Sequence, residues 1–419
     1  MYKSRTLTNG IRIVTEYIPH VRSVTLGVWI HTGSRNETKD NSGISHFIEH
    51  MLFKGTKNRT AKQIAERIDE VGGHLNAFTG KEYTCYYTKT LDTHLHFAVE
   101  ILADMLLQSN VDSKDIDIEK NVILEEINMY EDAPEELVHD IFSETTWAGD
   151  SLAYPILGTK SSLEKIDRRE ILQYMNHHYT PANIVISVAG NFDFDTVVNW
   201  IDEKFGYLNA KQYKKSEYQD IDFNTKISYK NKDIEQTHLC MGFDGIVQGD
   251  DKIYELLVIN TLLGGGMSSR LFQKIREERG LAYSVYSYPA SYKKAGLFAI
   301  YAGMNPSQMP EVIKLICEEI MMLKQDKITE KELKKAKEQL KGNYILGLES
   351  TSSRMNSIGK SALLLNKIRT PDEIVDMINA ITIHSVSDVI DKVFDTKKVS
   401  AAVVGAIQKD MDIKKWICF

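Results

Sequence analysis

The chain has 419 residues, 42% of them apolar, with 51 basic against 58 acidic side chains for a net charge of −7. That length exceeds what one hydrophobic core supports and predicts two domains of about 200 residues, while the mixed, slightly acidic charge excludes nucleic acid as the main partner. No run of 18 apolar residues is available to span a membrane, and Met1-Tyr2-Lys3-Ser4-Arg5 leads into polar sequence, so the expectation is a cytoplasmic protein without membrane contact.

Residues 6–16 read as a strand pair turning at Asn9-Gly10, and 23–31 (SVTLGVWIH) as a strand ending at Gly33. Ser45-His46-Phe47-Ile48-Glu49-His50-Met51-Leu52-Phe53 follows as a helix, with Ser42 as N-cap and Gly55 as stop. At 3.6 residues per turn, His46 and His50 share one face, so two imidazoles can converge on one ion, and Zn²⁺ suits them. Glu49 projects from the same side of that turn, placed to take a proton from a water at the ion. The order is H-x-x-E-H, the chain-reversed form of the H-E-x-x-H zinc helix.

A second helix is predicted over 60–71, with Thr60 and Gln63 as capping box and Gly72-Gly73 as stop. Residues 74–78 and 83–90 form a hairpin around Gly80-Lys81-Glu82, Asp92 caps a helix through Leu107, and another helix runs from near Asp112 to about Tyr130. In that last helix Glu119 and Glu126 are seven apart on one face among apolar neighbours, a place for carboxylates only if something positive meets them. A metal ion would do so for Glu126, whereas Glu125 reads as solvated. A helix near 168–178 and a strand over 183–188, closing at Gly190, complete the first half. The polar, lysine-rich stretch 208–233 marks the boundary, giving domains 1–210 and 234–419 joined by a linker at 211–233.

The second half repeats the first. Residues 23–30 align with 238–245 around Gly27 and Gly242, and 179–190 with 394–405 at the same offset, which indicates duplicated domains. At that offset His46 and His50 fall on Thr261 and Gly265, and Glu126 falls among Lys341, Gly342 and Asn343, so only the first copy can hold the ion. Gly264-Gly265-Gly266-Met267-Ser268-Ser269 lacks the spacing of a phosphate loop and reads as a tight turn before a helix over 268–279. The four cysteines, Cys85, Cys240, Cys317 and Cys418, are scattered without a C-x-x-C pair and read as free thiols.

With these residues assembled, the chain resembles the pitrilysin-type zinc peptidases, in the branch of mitochondrial processing peptidase and its bacterial relatives. The resemblance covers nearly the whole chain. It rests on the stretch from Gly43 to Thr56, on Asn76-Ala77-Phe78-Thr79, on Glu119 and Glu126, and on Gly264 to Arg270 followed by Arg276 and Tyr283. Glu126 stands where the family pattern places its third ligand.

The resemblance implies an α+β fold of two similar duplicated α/β-sandwich domains, each a mostly antiparallel sheet with helices packed on it. It also implies a zinc metalloendopeptidase with one Zn²⁺ per subunit on His46, His50 and Glu126, Glu49 as proton acceptor and Glu119 supporting the site from behind. Asn76, Ala77 and Phe78 would form an edge strand to which an extended peptide adds. Arg276 and Tyr283 would bind the substrate carbonyl. Family members of double length carry four such domains, so this chain is expected to close a chamber around its peptide substrates as a homodimer. The competing expectation is a non-catalytic scaffold subunit of a processing-peptidase-like complex; relatives of that kind have lost motif ligands that are present here.

Overall fold

The computed structural model describes residues 2–209, 218–406 and 412–419. Six strands build the first sheet: β1 (Tyr2–Thr6), β2 (Arg12–Tyr17), β3 (Ser23–Ile30), β4 (His74–Thr79), β5 (Thr84–Leu91) and β6 (Ile184–Gly190), in the order β1-β2-β6-β3-β5-β4. The second sheet contains β7 (Ile227–Asn231), β8 (Thr237–Asp244), β9 (Ala282–Tyr292), β10 (Ala295–Met304) and β11 (Ser400–Gly405), ordered β7-β11-β8-β10-β9. Each is antiparallel apart from one parallel pair, β2 with β6 and β11 with β7. Strand for strand, β2-β6-β3-β5-β4 corresponds to β7-β11-β8-β10-β9, with β1 added at the edge of the first sheet, so the expected duplicated α+β architecture is observed.

The repeat is not held at one offset throughout. Gly27 pairs with Ser187 of β6 and Gly242 with Ser400 of β11, a separation of 213 rather than 215 residues. A slip of two keeps the same side chains on the same sheet face, which is why the duplication tolerates it.

The first part of the chain contains the helices α1 (Ile44–Met51), α2 (Ala61–Glu70), α3 (Leu95–Gln108), α4 (Ser113–Glu131) and α5 (Pro134–Thr146). The chain forms two compact units: Met1–Asn128, Tyr154–Glu217 and Gly347–Ile368 make one; Met129–Ala153, Tyr218–Leu346 and Arg369–Phe419 make the other. The expected halves 1–210 and 234–419 thus exchange a segment each. Helix Thr351–Leu365, not among the elements expected from the sequence, lays Met355, Ile358, Ala362 and Leu363 on Val14, Trp29 and Val185 of the first sheet. Likewise α5, also not among the expected elements, packs Val138 and Phe142 against Cys240, Ala299 and Ala402 of the second. Both approaches are tight: a Cβ at Gly27 would lie 2.4 Å from Met355 Sδ, and one at Gly242 2.8 Å from Phe142 Cζ. The strand glycines that anchored the repeat are therefore where a helix from the other half of the chain presses on each sheet.

The expected linker needs a second correction. Residues 211–217 lie outside the described residues, but 227–231 form β7, an edge strand whose last three side chains face solvent and so read as polar. Cys85, Cys240, Cys317 and Cys418 are all free thiols, the first three buried. Among the described residues no helix is long and apolar enough to cross a membrane.

Candidate metal centre

Helix α1 buries Ile44, Phe47, Ile48 and Met51 on one face, which leaves His46, Glu49 and His50 on the other. Its start differs from the expected Ser42 cap. Gly43 occupies the cap position at φ 94°, where a Cβ would meet Leu157 O at 2.7 Å. The helix N–H groups are satisfied from outside by Glu37, whose carboxylate accepts from Gly43 N at 2.7 Å and Ser45 N at 2.9 Å. A carboxylate with two oxygens can serve two N–H groups at the positive end of the helix, which one serine hydroxyl cannot. Burial nevertheless pushes the Glu37 carboxyl up to about 7. Gly55, expected as the stop, lies past the helix end at Leu52, with φ 115°.

Helix α4 buries Ile116, Ile123 and Ile127, and the same packing directs Glu119 and Glu126 inward, while Glu125 is exposed. Glu126 Oε2 lies 3.8 Å from His46 Nε2 and 3.7 Å from His50 Nε2, and the three ligand atoms are all within 4.8 Å of one another. These separations are too long for hydrogen bonds. They fit one shared ion, since bonds of roughly 2 Å to a metal would set ligand atoms about 3.3 Å apart, and the two carboxylate–imidazole separations lie within about half an ångström of that. Glu126 Oε2 is buried with no hydrogen-bond partner among the described residues, the state expected of an atom kept for a cation. Burial, and then His50 beside it, push His46 down to about 3, so its imidazole is neutral and able to ligate. No other such cluster occurs among the described residues, and none in the second copy.

The surroundings complete the set. His50 Nδ1 is 3.0 Å from Glu119 Oε2, so the buried Glu119 fixes the ring with Nε2 turned toward Glu126. Lys54 Nζ sits 2.5 Å from the other oxygen of Glu119. Burial raises the Glu49 carboxyl above the usual carboxylate range, against a hydrogen bond from Thr79 Oγ1 to Glu49 Oε2 at 2.5 Å. The sequence reading assigned no role to Lys54, Thr79 or Glu37. Lys54 and Thr79 lay within the motif stretches themselves, but Glu37 sits in the loop before the helix, where no periodicity marks it.

Asn76, Ala77 and Phe78 lie on β4, the outer strand of the first sheet, whose second edge pairs with no strand among the described residues. Asn76 is exposed and accepts from Ala77 N at 2.8 Å, while Phe78 packs edge-on against Trp29 at 5.6 Å. What β4 offers a ligand is its backbone edge. Arg276 and Tyr283 belong to the second unit and are brought together there. Arg276 projects from a single turn wound as a π-helix, Phe272–Glu277, and its guanidinium lies 4.9 Å from the centre of the Tyr283 ring. Tyr283, on edge strand β9, is 77% exposed.

Comparison with known proteins gives the family of the chain. Residues 12–160 match the family described as Insulinase (Peptidase family M16), and 165–340 match the Peptidase M16 inactive domain. A Bacillus subtilis protein named uncharacterized zinc protease YmxG is 49% identical over 394 residues, covering 94% of this chain and 96% of its own. The uncharacterized zinc protease SCO5738 of Streptomyces coelicolor is 40% identical over 410 residues, covering 96% and 89%. The crystal structure of a protease from Helicobacter pylori superposes with a TM-score of 0.91 at 23% identity, covering 96% of this chain and 99% of that one. The chain belongs to peptidase family M16.

Proposed function

We propose that the chain is a zinc metalloendopeptidase acting on short or unfolded polypeptides, with His46, His50 and Glu126 holding the ion. The observation that carries this is the convergence of His46 Nε2, His50 Nε2 and the unpartnered Glu126 Oε2, with Glu49 on the same helix face. Relatives carrying zinc protease in their names support both the metal and the reaction. The domain described as inactive falls on 165–340, beyond His46, Glu49, His50 and Glu126 but across Arg276 and Tyr283, so a non-catalytic scaffold subunit stays the alternative reading.

Zn²⁺ in such a site supplies Lewis acidity, making water acidic and a peptide carbonyl electrophilic. The chain supplies the rest. Glu49, with Oε2 held by Thr79, uses Oε1 to accept the proton of the attacking water and then delivers it to the leaving amine nitrogen. Glu119 keeps His50 in the orientation and tautomer that a ligand needs. The edge of β4 at Asn76, Ala77 and Phe78 pairs with the substrate backbone as an added strand, which requires an extended chain. Arg276 and Tyr283 donate to the substrate carbonyl as charge develops on its oxygen. In this proposal a homodimer encloses the substrate in a chamber, and each site takes its Arg276 and Tyr283 from the partner subunit.

Strand addition makes the substrate's fold decisive. A denatured protein should be cut at several positions while its native form survives, at least about a thousandfold more slowly, because a stable domain exposes its backbone only in the rare unfolded fraction. Time courses on one protein in both states, followed by mass spectrometry, test this. Efficient cleavage of the native form at an internal, ordered site would remove the edge strand and the chamber from the mechanism.

A further inference from the structure

Thr79 is the last residue of β4, and its hydroxyl is the hydrogen-bond donor to the Glu49 carboxylate. No other hydrogen bond to that carboxylate occurs among the described residues, so this contact fixes the carboxylate's orientation. The strand is held in turn by its ladder to β5, where Thr79 pairs with Thr84, and by contacts with α1. Among the described residues no strand pairs with the far edge of β4. One strand thus carries both an open backbone edge and the hydroxyl that orients a carboxylate on the ligand-bearing helix.

We propose that Thr79 is a positioning residue for Glu49 and that it couples seating of a peptide on β4 to alignment of the base. This rests on Glu49 being the base of the proposed hydrolysis. The chemistry favours threonine there. Its β-branch restricts χ1, so the hydroxyl points in one direction without an entropic cost at each turnover. By engaging Oε2, the hydroxyl leaves Oε1 free to accept a proton, whereas an unheld carboxylate rotates about its last bond and presents either oxygen or neither. Pairing a peptide with the outer edge of β4 stiffens the strand and hence the contact. A correctly seated substrate should therefore meet a better aligned base than a poorly seated one.

The test compares Thr79→Val, which keeps the shape and removes the donor, with Thr79→Ala and Thr79→Ser. Valine and alanine should lower kcat about ten- to a hundredfold, with KM within about twofold, since alignment is lost and strand addition is not. Serine should recover most of the rate. Bound zinc per chain, measured by metal analysis, should be unchanged in all three. A folded, metal-loaded Thr79→Val or Thr79→Ala protein with wild-type kcat would overturn the proposal, as would a loss confined to KM or a serine variant no better than valine. Glu49→Gln, run in parallel, separates the two levels. If Glu49→Gln keeps its activity, the base assignment itself fails; if it is inactive and the Thr79 variants are normal, only the coupling fails.

Discussion

Replacing Glu49 with glutamine should leave zinc binding intact and reduce peptide cleavage by about a hundred- to ten-thousandfold, the usual share of a general base. The three ligand atoms on His46, His50 and Glu126 are untouched by the change. The carbonyl of the new side-chain amide can still accept from the Thr79 hydroxyl, which leaves the amide NH₂ where Oε1 stood. An NH₂ group donates and cannot take a proton from water, so the site is filled, ordered and inactive. Alanine in place of His50 acts differently, because it removes a ligand and also leaves the buried Glu119 without its imidazole partner, so metal and activity are lost together. Metal content measured beside turnover separates the two cases. A Glu49→Gln protein with near-normal turnover would take Glu49 out of the mechanism.

The second large effect concerns assembly. The ligand residues belong to one unit and Arg276 with Tyr283 to the other, and the proposal has each site borrow that pair from the partner. Two inactive proteins, Glu49→Gln and Tyr283→Phe, should then restore activity when mixed under conditions of subunit exchange. In a mixed dimer one site receives both defects and the other receives neither. Random exchange makes half the dimers mixed, each with one working site, so activity should return to about a quarter of wild type if the sites act independently. If each subunit uses its own Tyr283, every site keeps one defect and no activity returns. Mass measurement of the mixed dimer confirms that exchange took place.

The features legible in the sequence are the local ones. The spacing of His46, Glu49 and His50 on one helix, and of Glu119 and Glu126 on another, depends only on helical periodicity, so both faces could be read without a fold. The hairpin around Gly80 and the capping box at Thr60 are equally local, and both formed as read. The exchange of helices was not legible. Helix Thr351–Leu365 has apolar residues at helical spacing, but nothing in a stripe of Met355, Ile358 and Leu363 says which of two similar sheets it will cover. The usable signal was glycine in mid-strand. Gly27 and Gly242 were recognised as repeat anchors, while their physical reason, a helix pressed close to the strand, needed the tertiary structure. The cap on α1 escaped for the same cause, since Glu37 reaches Gly43 and Ser45 across a loop whose path local propensity does not determine. Thr79 and Lys54 stood in the motif stretches, yet their partners Glu49 and Glu119 lie on other elements, and pairing across elements is set by packing.

The most direct test of the central claim is a zinc titration of the metal-stripped protein, following cleavage of an unfolded peptide as the ion is returned. The proposal predicts no cleavage without metal and a linear rise that saturates at one Zn²⁺ per chain, the capacity of the single His46, His50 and Glu126 cluster found among the described residues. Undiminished cleavage by the metal-free protein, or a fully zinc-loaded protein that cuts no unfolded peptide, would contradict it.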